Sequence, residues 1–446
     1  MNQRKSYRTA FIFLTILFFL WGFITVLVDS LIPRLKEVFT LSYFEAGMVQ
    51  FAFFGAYFLF SIPAGYILSK IGYKKGIILG LTTMALGCLL FYPAASYREF
   101  GLFMFGYFTL AAGITILQVA ANPYVTILGP AKTASSRLNL SQAFNSLGTS
   151  IAPAMGALFI LQDKVMTSAE IETLNEQAKQ SYYIAEAAAV QTPFLAIAGF
   201  IAVIALFFVF VQLPKIGDTA ASNDYRKVLK NSNLILGAIA IFCYVGAEVS
   251  LGSYMVNYFL SLNLAEVVRQ TPLMNNIATW ILSKDISISE DMAVVGVFVT
   301  FYWMGAMVGR FIGSYLTSIL PPAKVLTLFA LGAIGMILVS GASAGLIAMW
   351  SVIAVGFFNS IMFPTIFSLA LDGLGDDKPQ GSGVLCTMIV GGAIIPPAYG
   401  YLTDQFSFYI AFLLVILCYA YIFFYASLSQ RKHSKLMKAS KESISQ

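Results

Sequence analysis

The sequence contains a single histidine, His433, and it sits in a basic tail. A histidine proton relay and a histidine-built metal site are thereby excluded, so any proton chemistry falls to carboxylates. Cysteine is scarce as well. Cys88, Cys243, Cys386 and Cys418 lie in apolar stretches without CxxC spacing, so they read as small buried hydrophobes and no disulfide is expected. Charge is the third scarcity. Charged residues make up 11% of the chain and apolar residues 59%, whereas a soluble domain carries about 25% charged residues. With a mean hydropathy of +0.80, such a chain cannot cover its surface against water, and lipid is the expected solvent. The apolar runs hold no HExxH, no GxSxG and no closely spaced charged pair, which argues against an intramembrane enzyme. They also hold no repeated filter motif or short re-entrant segment of the kind a channel uses.

What the sequence does have is long apolar runs. A bilayer core of about 30 Å takes roughly 20 residues of helix, and the 446 residues accommodate twelve such spans. They are predicted at 9–32, 44–69, 75–94, 100–128, 138–161 and 191–213, then at 233–260, 291–318, 323–341, 345–371, 381–402 and 406–428. The runs do not alternate polar and apolar residues, which rules against a transmembrane barrel. The first run, from Ala10, is too long for a signal peptide and lacks a small-residue cleavage pattern, so it reads as a span. With both termini in the cytoplasm, most of the 27 Lys and Arg fall on the cytoplasmic side, Arg310 counted there with Lys324. This is the arrangement the positive-inside rule favours. It explains the net charge of +6 without nucleic acid, since the basic residues are scattered over short loops.

Two polar interruptions divide the chain. Residues 162–190 carry Asp163, Glu170, Glu172, Glu176 and Glu186 and are expected outside as a short helical excursion. Residues 214–232 are polar and lie at the midpoint, so they read as a cytoplasmic linker between bundles at 1–213 and 233–430, with a basic cytoplasmic tail at 431–446. The halves look related. "NPYVTILGP" at 122–130 resembles "FPTIFSLALDGLG" at 363–375, and one constant offset carries Gly65, Gly148, Pro153 and Gly156 onto Gly309, Gly392, Pro397 and Gly400. The fold class is therefore an all-α membrane protein of twelve transmembrane helices in two pseudo-symmetric six-helix halves, the architecture of major facilitator transporters.

Charges within spans are costly and default to function. Asp29, late in the first span, and Glu248, mid-way along the seventh, are the candidates for proton or cation coupling. A carboxylate away from water holds its proton more tightly, and alternating access would let it load on one face and unload on the other. An interface acid and a structural buried acid are the respective alternatives. Uncharged amides form the second class. Gln118 and Asn122 share a face at i, i+4, as do Asn139, Gln142 and Asn145 at i, i+3, i+6. Gln50, Asn257 and Asn359 add single amides, with Phe54, Tyr57, Tyr254, Tyr258, Tyr302 and Trp303 near by in sequence. The substrate-binding candidates are Gln50, Gln118, Asn122, Gln142, Asn145, Tyr254, Asn257, Trp303 and Asn359. Amides plus aromatic faces suit a neutral polyhydroxylated ligand, and interhelical hydrogen bonding is the competing use. No Arg or Lys is expected inside a span away from its ends, which argues against an anionic substrate. No cofactor or metal site is read.

These residues carry a resemblance. "FFLWGF" with Asp29 downstream, "GYILSKIGYKKGIILGL", "LQVAANPYVTILGP", "RLNLSQAFNSLGT", "FCYVGAEVSLGSYMVNY" and "FPTIFSLALDGLG" resemble the fucose–galactose–glucose:proton symporter family of the major facilitator superfamily, in order and over nearly the whole chain. The resemblance implies alternating access and cation-coupled import of a neutral monosaccharide by a monomer in the bacterial inner membrane. It implies a functional acid at Asp29. The family's fucose transporters carry a second acid just before "AANP", where this chain has Gln118, so it is more similar to the glucose/galactose branch, in which "GAE" brings an acid at Glu248. The superfamily's loop motif also departs, since Ser69, Lys70, Gly72, Lys74 and Lys75 lack its usual acid. Fucose or N-acetylglucosamine as substrate, sodium as coupling ion, and an efflux antiporter remain as alternatives.

Overall fold

The computed structural model describes residues 2–29, 43–97, 99–159, 173–214 and 225–444. Among these residues the regular structure is helical throughout. The helices are α1 (Asn2–Asp29), α2 (Tyr43–Ile71), α3 (Tyr73–Tyr97), α4 (Phe100–Ile127), α5 (Ala134–Phe159) and α6 (Glu176–Phe210). They continue with α7 (Ser232–Ser261), α8 (Asp291–Ile319), α9 (Pro322–Ala342), α10 (Gly345–Ala370), α11 (Gly375–Gln405) and α12 (Phe408–Ile444).

Eleven helices among the described residues are long and apolar enough to cross a bilayer. The remaining one, α5, stands at the place of the expected fifth span. Its first half reads ASSRLNLSQAFN, and these hydroxyls and amides lower its apolarity. Ends follow local chemistry. Gly72, at φ +79°, lets α2 stop and α3 begin within one residue, and its N–H donates to Leu68 O at 2.8 Å. Asn175 and Asn231 cap α6 and α7 by accepting from the backbone N–H of Ala178 and Leu234. The cap at Asn175 starts α6 well before the expected residue 191. Much of the expected excursion is thus the first turns of that helix, and residues 160–172 lie outside the described residues, as do 215–224 of the expected linker.

Small residues set the packing distance, as they do where lipid supplies no driving force between helices. A Cβ on Gly80 would sit 2.7 Å from Leu117 N. One on Gly87 would strike the Leu110 backbone, and one on Gly113 the Met84 backbone. These three glycines therefore let α3 and α4 lie backbone to backbone.

The chain forms two compact units. One holds Met1–Ala131, Phe144–Val228 and Gly373–Met388, and the other Lys132–Ala143, Leu229–Asp372 and Ile389–Gln446. The division follows the halves except at two stretches, where the first turns of α5 and the first turns of α11 are exchanged. In the second unit, Asn139 Nδ2 donates to Thr365 Oγ1 at 3.1 Å and Ser135 Oγ lies 2.5 Å from Ser368 Oγ. In the first unit, Ser382 Oγ donates to Val119 O at 2.8 Å. The polar face of α5 thus serves helix contacts in its first turns.

Candidate functional site

In the first unit the site is built on α2 and α4. Tyr57, on α2, donates its hydroxyl hydrogen to Gln118 Oε1 on α4 at 2.7 Å, and both side chains are buried. The bond occupies the amide oxygen and leaves the amide N–H groups as donors. Phe53 flanks Tyr57 at 5.3 Å and Tyr107 at 6.3 Å between ring centroids, which gives the amide an aromatic surround. Asn122, one turn beyond Gln118, is fully buried.

The same unit contains the crossing of α1 and α5. Asn145 Nδ2 donates to Phe18 O at 2.9 Å. A Cβ on Gly22 would collide with Asn145 O, and one on Gly148 with Phe19 O. Two glycines and one amide thereby bring the helices into backbone contact, and Asn145 remains half-buried. Asp29 is the last residue of α1, and Gln50 lies on α2. The side chains of both lie outside the described residues. Gln142 falls in the second unit and is buried there.

In the second unit a polar cluster spans α7, α8, α10 and α12. Asn359 Nδ2 donates to Tyr302 Oη at 2.7 Å. Tyr419 faces the same amide from α12. Glu248 sits mid-way along α7, with Tyr244 one turn before it on the same face. Oε1 of Glu248 is sealed from solvent, and the Tyr244 hydroxyl, also buried, faces the same carboxylate. The Glu248 residue as a whole is half-buried. Arg310 and Tyr244 are the groups that act electrostatically on its carboxylate.

Arg310 corrects the expectation that no cation lies inside a span away from its ends. It stands nine residues before the end of α8, about 14 Å from that end at 1.5 Å per residue. Its guanidinium turns inward, and Nε donates to Ser360 O at 3.1 Å. The physical reason lies in α10, which breaks between Asn359 and Met362. Pro364 has no N–H to return to Ser360 O four residues earlier, and Arg310 supplies the missing donor. Sequence counting assigned Arg310 to the surface because a long basic side chain near a helix end ordinarily reaches out to water.

The other candidates lie outside this cluster, with Trp303 at its edge. Tyr254 is half-buried with its ring 5.3 Å from Tyr399, and its hydroxyl occupies the space that a side chain at Gly400 would need. Asn257 is exposed on α7. Trp303 is 46% exposed, meets Tyr302 edge-on at 5.0 Å and covers Gly252. Sequence reasoning missed Tyr244, Arg310 and Tyr419 as members of the Glu248 cluster. Only Tyr244 carried a signal, its i−4 position from Glu248.

Long apolar helices that enclose buried acid, amide and phenol groups are the build of a membrane transport protein. Residues 10–385 match the family described as Major Facilitator Superfamily, and the chain belongs to it. It is 48% identical over 433 residues to a glucose/galactose transporter of Brucella abortus biovar 1 (strain 9-941), covering 96% of each chain. It is 34% identical to the L-fucose-proton symporter of Escherichia coli (strain K12), over 95% of this chain and 94% of that one. A crystal structure of the major facilitator transporter FucP in the outward conformation superposes with a TM-score of 0.84 at 33% identity, covering 95% of this chain and 99% of that one. Within the superfamily the chain falls in the fucose–galactose–glucose:proton symporter family, on its glucose/galactose branch. These relatives are transporters, and the chain is not an enzyme.

Proposed function

We propose that this chain imports a neutral hexose of the glucose/galactose type by proton symport with alternating access, as a monomer in the bacterial inner membrane with both termini in the cytoplasm. Relatives named for glucose and galactose support the substrate class, and relatives named as proton symporters support the ion. Gln118 binds sugar hydroxyls through its free N–H donors while Tyr57 holds its oxygen. Gln50, Asn122, Gln142, Asn145, Tyr254, Asn257, Trp303 and Asn359 are the further candidate contacts to the sugar. Asp29 and Glu248 carry the coupling ion.

The observation that carries the reading is the Glu248 carboxylate, whose Oε1 is sealed from solvent mid-way along a span with Tyr244 and Arg310 as its polar surround. A charge in such a place is costly, and a proton taken up by the carboxylate removes it. Arg310 balances the carboxylate in the unprotonated state and is already engaged by Ser360 O. This leaves it poorly placed as a clamp for an anionic substrate. One proton moving through 100 mV supplies about 2.3 kcal/mol, enough for roughly 50-fold accumulation at one-to-one coupling.

The test is sugar-induced alkalinisation in lightly buffered, de-energised cells without sodium. Glucose, galactose, fucose and N-acetylglucosamine are added one at a time. A pH rise with glucose or galactose supports the reading. A rise only with another sugar changes the substrate. A response that requires sodium changes the ion, and export of preloaded sugar against inward protons makes the chain an antiporter.

A further inference from the structure

The segment between α7 and α8 contains an 11-residue helix, Pro272–Leu282, that the transport reading does not use. At about 100° per residue its side chains fall into three sectors. Met274 and Ala278 are buried against the protein. Asn275, Asn276 and Thr279 form a polar flank, in which Asn275 Nδ2 donates to Arg269 O and Thr279 Oγ1 to Asn275 Oδ1. Leu273, Ile277, Trp280 and Ile281 share the third sector, with Leu273 64% and Trp280 81% exposed. The helix carries no charge, and Lys284 follows just after its end.

Height decides what covers the exposed sector. The 30 residues of α7 make a helix of about 45 Å, and a bilayer with its headgroup layers is about 40–45 Å thick. Residues that follow Ser261 at once therefore emerge at the level of the headgroups. The segment is held there. Leu264, Ala265 and Val268 are buried, and Arg269 bonds Ile286 O, Ser289 O and Asp291 Oδ1 at 3.2, 2.8 and 2.7 Å. An exposed tryptophan and leucine at that level, with Ile277 and Ile281 half-buried beside them, suit lipid, the setting in which tryptophan is enriched. Lys284 beside them is long enough to reach a phosphate layer.

We infer that Pro272–Leu282 is an interfacial helix that lies on the bilayer surface, with Leu273, Ile277, Trp280 and Ile281 inserted among the acyl chains at the headgroup boundary and Asn275, Asn276 and Thr279 facing water. It fixes the depth and tilt of the second unit in the membrane, a role separate from the sugar and the ion.

The experiment places a nitroxide at Leu273→Cys, Asn276→Cys or Trp280→Cys in the full chain carrying Cys243→Ala, reconstituted in phosphatidylcholine vesicles. Relaxation by oxygen, which partitions into lipid, is compared with relaxation by a water-soluble nickel chelate. Oxygen should dominate at 273 and 280, and nickel at 276. Nickel dominance at all three positions would place the helix in water and overturn the inference. Protection from both reagents at 273 and 280 would mean that protein covers the face, and would overturn it equally. A readout without labels is the wild-type minus Trp280→Phe difference fluorescence. Lipids brominated near the headgroup should quench it more than lipids brominated deep in the chain, and quenching by iodide instead would count against the helix lying in lipid.

Discussion

Tyr57 and Gln118 stand 61 positions apart in sequence and meet through one 2.7 Å hydrogen bond between α2 and α4. The phenol fixes the rotamer of the amide and so aims its N–H groups. Gln118→Ala should raise the KM for the transported sugar about tenfold, the loss of one net hydrogen bond of about 1.4 kcal/mol. Tyr57→Phe keeps the ring and should cost less. Transport assays at equal expression decide this, and an unchanged KM in Gln118→Ala would remove that residue from the sugar site.

Glu248→Gln should abolish uphill accumulation and spare exchange of sugar across the membrane. The glutamine keeps the volume and the hydrogen-bonding capacity but takes up no proton. Counterflow and accumulation are measured on the same proteoliposomes. Full accumulation by the variant would assign coupling elsewhere, with Asp29 as the remaining candidate.

Arg310 and Glu248 are complementary charges within one polar cluster, and a charge left alone in such a place destabilises the protein. Arg310→Met should therefore lower thermal stability in detergent more than the double variant Arg310→Met/Glu248→Gln does. The coupling from the double-mutant cycle should be about 1 kcal/mol or more. Additive losses would mean that the two groups do not sense each other.

The α3–α4 contact depends on the absence of side chains. Gly87→Val places atoms into the Leu110 backbone and should destabilise by about 1–3 kcal/mol or more. Gly55→Ala, with nothing near its Cβ, should be neutral or mildly stabilising, since alanine exceeds glycine in a helix interior. Melting curves of the two variants would test the contrast.

Arg269 closes the segment between α7 and α8 through two backbone carbonyls and Asp291. Arg269→Ala should expose residues 283–290 to limited proteolysis while the spans stay resistant. Fragment masses would locate the cut, and an unaltered digestion pattern would show that the clamp is dispensable.

The helices were legible because an apolar run long enough to cross a bilayer has few other folded states. Glu248 was legible for the same reason, as a charge alone in such a run. What surrounds it was not. Arg310, Asn359 and Tyr419 come from three other helices, and nothing local in sequence tells which side of α8 turns inward. The decisive clue for Arg310 is Pro364 on α10, which matters only once the two helices are known to be neighbours. The amides of α5 show the converse limit. Asn139 and Asn145 share one stripe in sequence, yet Asn139 bonds to Thr365 and Asn145 to the backbone of α1.

The exchange of short stretches between the two units has a mechanical meaning. Helix α11 passes from one unit to the other between Met388 and Ile389, and there its winding tightens into a 3-10 turn over Met388–Val390. A 3-10 turn and an α-turn interconvert by small changes in backbone angle without loss of the chain's direction, so α11 can wind or unwind over these three residues while the segments on either side keep their own packing.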